Sequence, residues 1–235
     1  FNGTEIATFP SGVYNNLGIG VNALDSITTG GNNTALGDGA LTATENGQQN
    51  LGMGRNTLTA NVGGSYNIAI GDMALATNVS GTSNVAIGKS SLYTTTGSHN
   101  TAIGEASLFA TTGSYNVGIG KEAGDNITTG SSNIIIGAGV DAPSVSASNQ
   151  LNIGNTIYGD LSAGRVGIGQ TVPAENLHIE AADQGVNCRV AYNSSYYTNY
   201  GYYIINTIGN PLIFSTDGTE RMRVDSSGLI PGADN

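Results

Sequence analysis

A dense group of tyrosine and amide side chains near the carboxyl end is the part of the chain whose residue types best suit ligand recognition. Six of the 11 tyrosines in the 235-residue chain fall within residues 192–203, with asparagine and serine between them. Exposed tyrosine rings pack on the C–H faces of sugars, whereas amides and hydroxyls bind sugar hydroxyl groups. The predicted receptor-binding residues are Tyr192, Asn193, Tyr196, Tyr197, Asn199 and Tyr200.

The same tyrosines also fit a small β-rich core in which alternate rings point inward. Tyr202 and Tyr203 directly precede Ile204 and Ile205, so at least one ring of this pair is expected in the core. The sequence leaves both interpretations open.

Residue types that usually carry catalysis or bind metals form no recognisable constellation. His99 and His178 are far apart without evident partners, and His99 is expected on the surface. Residues 88–90 (Gly-Lys-Ser) match the end of a phosphate-binding loop, but Ser83 replaces the required glycine and no helix is expected to follow. We therefore predict no enzymatic activity, cofactor or metal. A depolymerase that uses two of the many acidic side chains remains an alternative.

Charge and cysteine content restrict the partners and the place of assembly. The formal net charge of -10 disfavours nucleic acid as a partner, and no apolar run is long enough for membrane insertion. The single cysteine, Cys188, cannot form an internal disulfide, which suits assembly in a reducing cytoplasm.

A repeated phrase, Asn-x-(Ala/Gly)-(Ile/Leu/Met)-Gly, organises the chain that precedes the tyrosine group. Successive copies are 16 or 17 residues apart, and a degenerate ninth copy begins at Gln150. A period this short predicts stacked coils that each rest on their neighbours. The anchor residues of the first eight copies are Asn16, Asn33, Asn50, Asn67, Asn84, Asn100, Asn116 and Asn133.

Within each copy, counted from the anchor asparagine as position 0, large residues at +1 and +3 flank a small residue at +2. Side chains alternate along a strand, so the large and small residues face opposite sides. We interpret the large face as the core of the coil and the small face as a contact with another subunit; the reverse remains open. Glycine at +4 predicts a corner with positive φ. Leucine at +8 predicts a second short strand, and the anchor asparagines are expected to bond to turn backbone and to one another.

Charged residues at position +5 alternate in sign over six consecutive copies. If the coils stack in register, each charge lies between opposite charges, which would help to exclude slipped pairings. The alternative is a solvated edge whose charges alternate by chance. The six residues are Asp38, Arg55, Asp72, Lys89, Glu105 and Lys121.

These patterns predict an all-β fold: a parallel β-roll or β-solenoid with 16–17-residue repeats in a homotrimer, followed by a small β-rich tip domain. The predicted domains are an N-terminal lead-in, a repeat shaft, a connector and a C-terminal tip. Their boundaries are residues 1–15, 16–154, 155–182 and 183–235.

The repeats resemble the head repeat of trimeric autotransporter adhesins of the YadA type. The resemblance is carried by Asn67–Ala74, Asn84–Ser91 and Asn100–Ser107. It implies trimers of left-handed parallel β-rolls. The repeat here is two or three residues longer, which predicts longer loops on one edge.

The chain after the repeats resembles tailed-bacteriophage fibres instead. Gly164–Pro173 and Leu177–Ile179 resemble a joint of such fibres, and Pro211–Thr216 with Gly218–Gly228 resembles a segment common in them. Leu229–Asn235 is similar to the run-up to an endosialidase-type intramolecular chaperone. Such a chaperone trimerises the fibre and is then cut off.

Together the resemblances imply the distal region of a phage tail fibre, located extracellularly in the virion tail. The implied partners are two further copies of the chain and a host cell-surface glycan or outer-membrane protein, recognised during host attachment. The chain starts at Phe1 without a leader or initiator methionine. We therefore expect a missing N-terminal part that joins other tail proteins. The alternatives are the head domain of a bacterial adhesin and a polysaccharide-degrading tailspike.

Overall fold

The described part of the chain is built from β-strands and turns. The computed structural model describes residues 6–7, 15–179, 212–216, 219–225 and 228–231, and every regular element in these ranges is a strand. The chain divides into two compact units, residues 1–187 and 188–235. The all-β prediction is therefore confirmed.

The first unit holds one sheet of 13 strands, which follow one another in sequence order. These strands are β1 (Ile6–Ala7), β2 (Leu17–Ile19), β3 (Thr34–Leu36), β4 (Leu51–Met53), β5 (Ile68–Ile70), β6 (Val85–Ile87), β7 (Thr101–Ile103), β8 (Val117–Ile119), β9 (Ile134–Ile136), β10 (Gln150–Ile153), β11 (Ile157–Asp160), β12 (Arg165–Ile168) and β13 (Leu177–Ile179).

From β2 to β10 every neighbouring pair of strands is parallel, and each coil contributes one strand. Equivalent repeat positions face one another, as when Ala69 pairs with Ala86 and Ala86 with Ala102. The predicted β-solenoid is thus confirmed, with its repeat of about 17 residues. Its last parallel strand is the degenerate copy at Gln150. Beyond it, β11 and β12 pair antiparallel, and β12 pairs parallel with β13.

The small residues at +2 lie inside the coil, so our interpretation of the two faces was wrong and the reverse arrangement is observed. Ala69, Ala86 and Ala102 are fully buried and share one core cluster with the +8 leucines. A Cβ added to Gly52, also at +2, would lie 3.3 Å from the Leu41 side chain. The walls of so short a coil are too close for two large side chains to meet, so a small residue faces each leucine.

One exchange of large and small residues shows how tightly this core is filled. In the copy that begins at Asn116, position +8 is Gly124 rather than leucine. Ile127 and Ile135, both fully buried, approach the space that a Gly124 side chain would take, at 3.3 Å from its added Cβ. Position +2 carries a large residue, Ile135, in the copy next to the one that lost its leucine.

Each coil contains one strand rather than the two that we predicted. The +8 leucines lie in turns with φ between +47° and +56°, which is left-handed backbone. Such a conformation cannot continue a strand. The leucine side chains nevertheless point into the core and are fully buried or nearly so. They are Leu24, Leu41, Leu58, Leu75, Leu92 and Leu108.

The anchor asparagines form a buried ladder of hydrogen bonds along the solenoid, as predicted. At each step from Asn16 to Gln150, the side-chain oxygen accepts the backbone N–H of the next anchor at 2.8–3.0 Å. Each anchor amide also donates to a turn carbonyl at 2.8–3.1 Å. Asparagine is required because its short amide supplies both an acceptor and a donor.

The second unit contains a separate three-stranded antiparallel sheet. Its strands are β14 (Leu212–Thr216), β15 (Thr219–Asp225) and β16 (Gly228–Pro231). They pair in sequence order, and the register shifts between Phe214 and Ser215.

Candidate functional site

The tyrosine and amide residues predicted to bind a receptor lie outside the described residues. This applies to Tyr192, Asn193, Tyr196, Tyr197, Asn199 and Tyr200. Their role therefore stays a prediction, and the surfaces described below belong to the solenoid.

The outer face of the solenoid sheet carries a continuous column of aliphatic side chains, which we call the aliphatic stripe. It consists of positions +1 and +3 of each coil, which are partly or fully exposed while +2 is buried. Ile68, Ile87 and Ile103 are 36–39% exposed. Eight coils at about 4.8 Å each make the stripe roughly 38 Å long. A contiguous exposed apolar surface of this kind marks an interaction site.

The predicted column of alternating charges lies on one edge of the solenoid. Backbone hydrogen bonds join position +5 of one coil to +6 of the next, so the charged residues are in register. Arg55 Nη2 lies 3.0 Å from Asp72 Oδ2, and Lys121 Nζ lies 4.0 Å from Glu105 Oε2. These pairs are solvent-exposed, so each contributes only tenths of a kcal/mol and serves mainly to favour the correct register.

The two histidines lie apart and have different surroundings. His99 is exposed, as expected, and its ring stacks on Tyr115 with centroids 4.8 Å apart. His178 Nδ1 accepts the backbone N–H of Ala174 at 3.3 Å. Neither histidine bonds to a nucleophilic side chain in the described part of the chain.

A second pair of aromatic residues escaped the sequence analysis. The rings of Tyr93 and Phe109 stack with centroids 5.2 Å apart and planes 6° apart. Both residues occupy position +9 of consecutive copies, and that shared position was the available clue. A cavity of about 370 Å³ adjoins the Tyr93 ring.

Two acidic side chains of neighbouring coils lie together on the surface. Partial burial, a hydrogen bond to Asp141 and the charges of Asp141 and Glu122 raise the pKa of the Asp125 carboxyl above its ordinary value. One proton shared between two carboxyl groups relieves the repulsion that would arise if both were ionised. The described ranges contain no group of three or more side chains that could hold a metal ion.

Within the described residues, no helix has the length and apolar character needed to cross a membrane. No protein-family model matches the chain, and neither a curated protein nor a solved structure matches it at the significance required.

Proposed function

We propose that the chain is the distal region of a bacteriophage tail fibre: a homotrimeric shaft that carries a host-receptor-binding tip. The observation that carries the proposal is the aliphatic stripe. The solenoid completes its own core with the +2 and +8 residues, so the +1 and +3 side chains remain available for other contacts. Three copies that join their stripes around one axis would bury this surface.

Further support comes from the region after the solenoid. Strand β12 lies within the first fibre-like segment, Gly164–Pro173, and pairs in parallel with β13, which is the second segment, Leu177–Ile179. The two segments are therefore one structural unit. Receptor recognition is assigned to the tyrosine and amide group at 192–203, where the aromatic density is highest and the repeat has ended.

The trimer is tested by placing charge on the stripe. We expect a molar mass three times that of the 23.8-kDa chain in multi-angle light scattering. The double variant Ile68→Lys/Ile103→Lys should shift the protein toward monomer. Loss of roughly 1.5–3 kcal/mol for each isoleucine no longer buried corresponds to about a tenfold to hundredfold weaker association per site.

A matched control places the same charges elsewhere. Val79 and Val145 are each 47% exposed and lie outside the stripe, so Val79→Lys/Val145→Lys should remain a trimer. A monomeric parent protein, or equal dissociation of both double variants, would contradict assembly through the stripe.

Two further measurements separate the alternatives. Incubation of the trimer with bacterial surface polysaccharides, followed by an assay for new reducing ends, distinguishes a fibre from a degrading tailspike. Binding of the parent protein to an array of such polysaccharides, and weaker binding of Tyr196→Ala and Tyr197→Ala with unchanged melting, supports a receptor site at the tip. Collapsed melting of these variants would instead indicate that the two rings belong to a core.

A further inference from the structure

The cavity beside Tyr93 exists because a column of side chains changes size along the solenoid. At position +9, Thr59 and Ala76 are followed by Tyr93 and Phe109. Phe109 stacks on one face of the Tyr93 ring. The small residues beneath Tyr93 leave a hollow on the other side, and this hollow, which we call the Tyr93 niche, has a volume of about 370 Å³.

The lining of the niche combines an aromatic wall, an apolar floor and polar groups. It includes Asn56, Thr59, Met73, Ala76, Thr77 and Tyr93. The volume falls within the range of small-molecule sites, about 300–1,000 Å³. None of the lining side chains is charged, so the niche favours a neutral ligand.

The polar groups of the niche retain hydrogen-bonding capacity. The Thr59 hydroxyl donates to Asn56 O at 2.7 Å, and the Thr77 hydroxyl donates to Tyr93 O at 2.8 Å. Each hydroxyl oxygen can still accept a hydrogen bond. The side-chain amide of Asn56 has no hydrogen-bond partner within the described ranges, so it can both donate and accept.

We infer that the Tyr93 niche binds a neutral pyranose unit of a surface glycan. One face of the sugar packs on the Tyr93 ring, since C–H faces and aromatic rings are complementary. Its hydroxyl groups bond to the Asn56 amide and to the Thr59 and Thr77 hydroxyls. The inference deepens the proposed receptor-binding function and rests on it for the source of the glycan, because it adds a contact on the shaft.

The niche and the aliphatic stripe lie on different walls of the coil. Thr59 and Ala76 directly follow Leu58 and Leu75, whose buried side chains form the wall opposite the strands. The stripe lies on the outer face of those strands. Assembly through the stripe therefore leaves the niche open, and three niches per trimer would add avidity to weak single contacts.

Saturation-transfer NMR of the full chain tests this site, since the method detects weak binding. The probes are neutral methyl glycosides with gluco, galacto, manno and N-acetylglucosamine configurations. We expect saturation of at least one probe. Ala76→Leu, which fills the hollow, and Tyr93→Leu, which keeps apolar bulk but removes the aromatic face, should each weaken that binding about tenfold.

Tyr115→Leu is the matched control, because Tyr115 is an exposed aromatic residue away from the niche. It should retain parental binding. Absence of saturation with every probe, or equal saturation of the parent and both niche variants, would overturn the inference. Melting curves and light scattering on the same samples confirm that the variants fold, and show separately whether the trimer has failed.

Discussion

At the scale of single residues, the anchor asparagine is the residue on which the solenoid most depends. Asn84 Oδ1 accepts the Asn100 N–H at 2.9 Å, and its amide donates to Gly97 O at 3.0 Å. The side chain is fully buried. One amide thus satisfies two backbone groups that would otherwise be buried without partners.

Replacement of this residue gives the first stability prediction. Asn84→Ala leaves the Asn100 N–H and the Gly97 carbonyl without this partner, at about 1–3 kcal/mol for each unsatisfied group. We expect a correspondingly lower free energy of unfolding in chemical denaturation. Asn46→Ala is the control, because Asn46 is exposed and should change stability by less than about 0.5 kcal/mol. Equal losses in both variants would refute the importance of the ladder.

The raised pKa of Asp125 predicts how stability depends on pH. Its folded pKa lies above the ordinary 3.8, so the folded state binds the proton more tightly than the unfolded state. The free energy of unfolding therefore falls as pH rises from about 3.8 through the folded pKa. Asp125→Asn removes this loss, so it should be more stable than the parent at neutral pH, and the difference should shrink toward pH 3.

Asp25→Asn is the control for this prediction, because Asp25 occupies the same repeat position in the first coil. Thermal melts from pH 3 to pH 7 provide the comparison. If Asp125→Asn shows no advantage over the parent at pH 7, the repulsion between the two carboxylates has no effect on folding.

At the scale of elements, the corner glycine sets how closely coils stack. Gly88 has a φ of +133°, and an added Cβ would lie 2.5 Å from Gly104 O in the next coil. The same geometry recurs from Gly20 to Gly137, with φ between +123° and +140°. The glycine therefore serves both the turn and the close approach of neighbouring backbones, and glycine at +4 is confirmed as a corner with positive φ.

The two requirements can be separated by substitution. Gly139 also has a positive φ, +62°, but nothing lies within 4 Å of its added Cβ. Gly139→Ala should cost about 1–2 kcal/mol from backbone strain alone, whereas Gly88→Ala should cost more because it also forces two coils apart. Urea denaturation of both variants measures the difference, and similar losses would indicate that coil contact is unimportant.

At the scale of the whole molecule, the solenoid separates its internal and external apolar surfaces. The +2 and +8 residues close each coil, so Ala86→Leu is now expected to disturb the core of one chain rather than the contact between chains. The stripe is left for assembly and the opposite wall for the Tyr93 niche. One repeat can in this way support folding, self-association and ligand contact without conflict.

The sequence by itself determined the repeat, the β-class, the corner glycine, the asparagine ladder and the register of the charged edge. Each follows from a residue type recurring at a fixed spacing, such as Asn67 and Asn84, and the stacking of equivalent positions needs no further information. The tertiary structure alone decided which face of the strand is internal, because alternation shows that Ala86 and Ile87 face opposite sides but not which side closes the coil. It likewise showed the leucine turns to be left-handed, and it revealed the Tyr93 niche. Both depend on how far apart the walls of a coil lie, a distance that the spacing of residues along the chain does not contain.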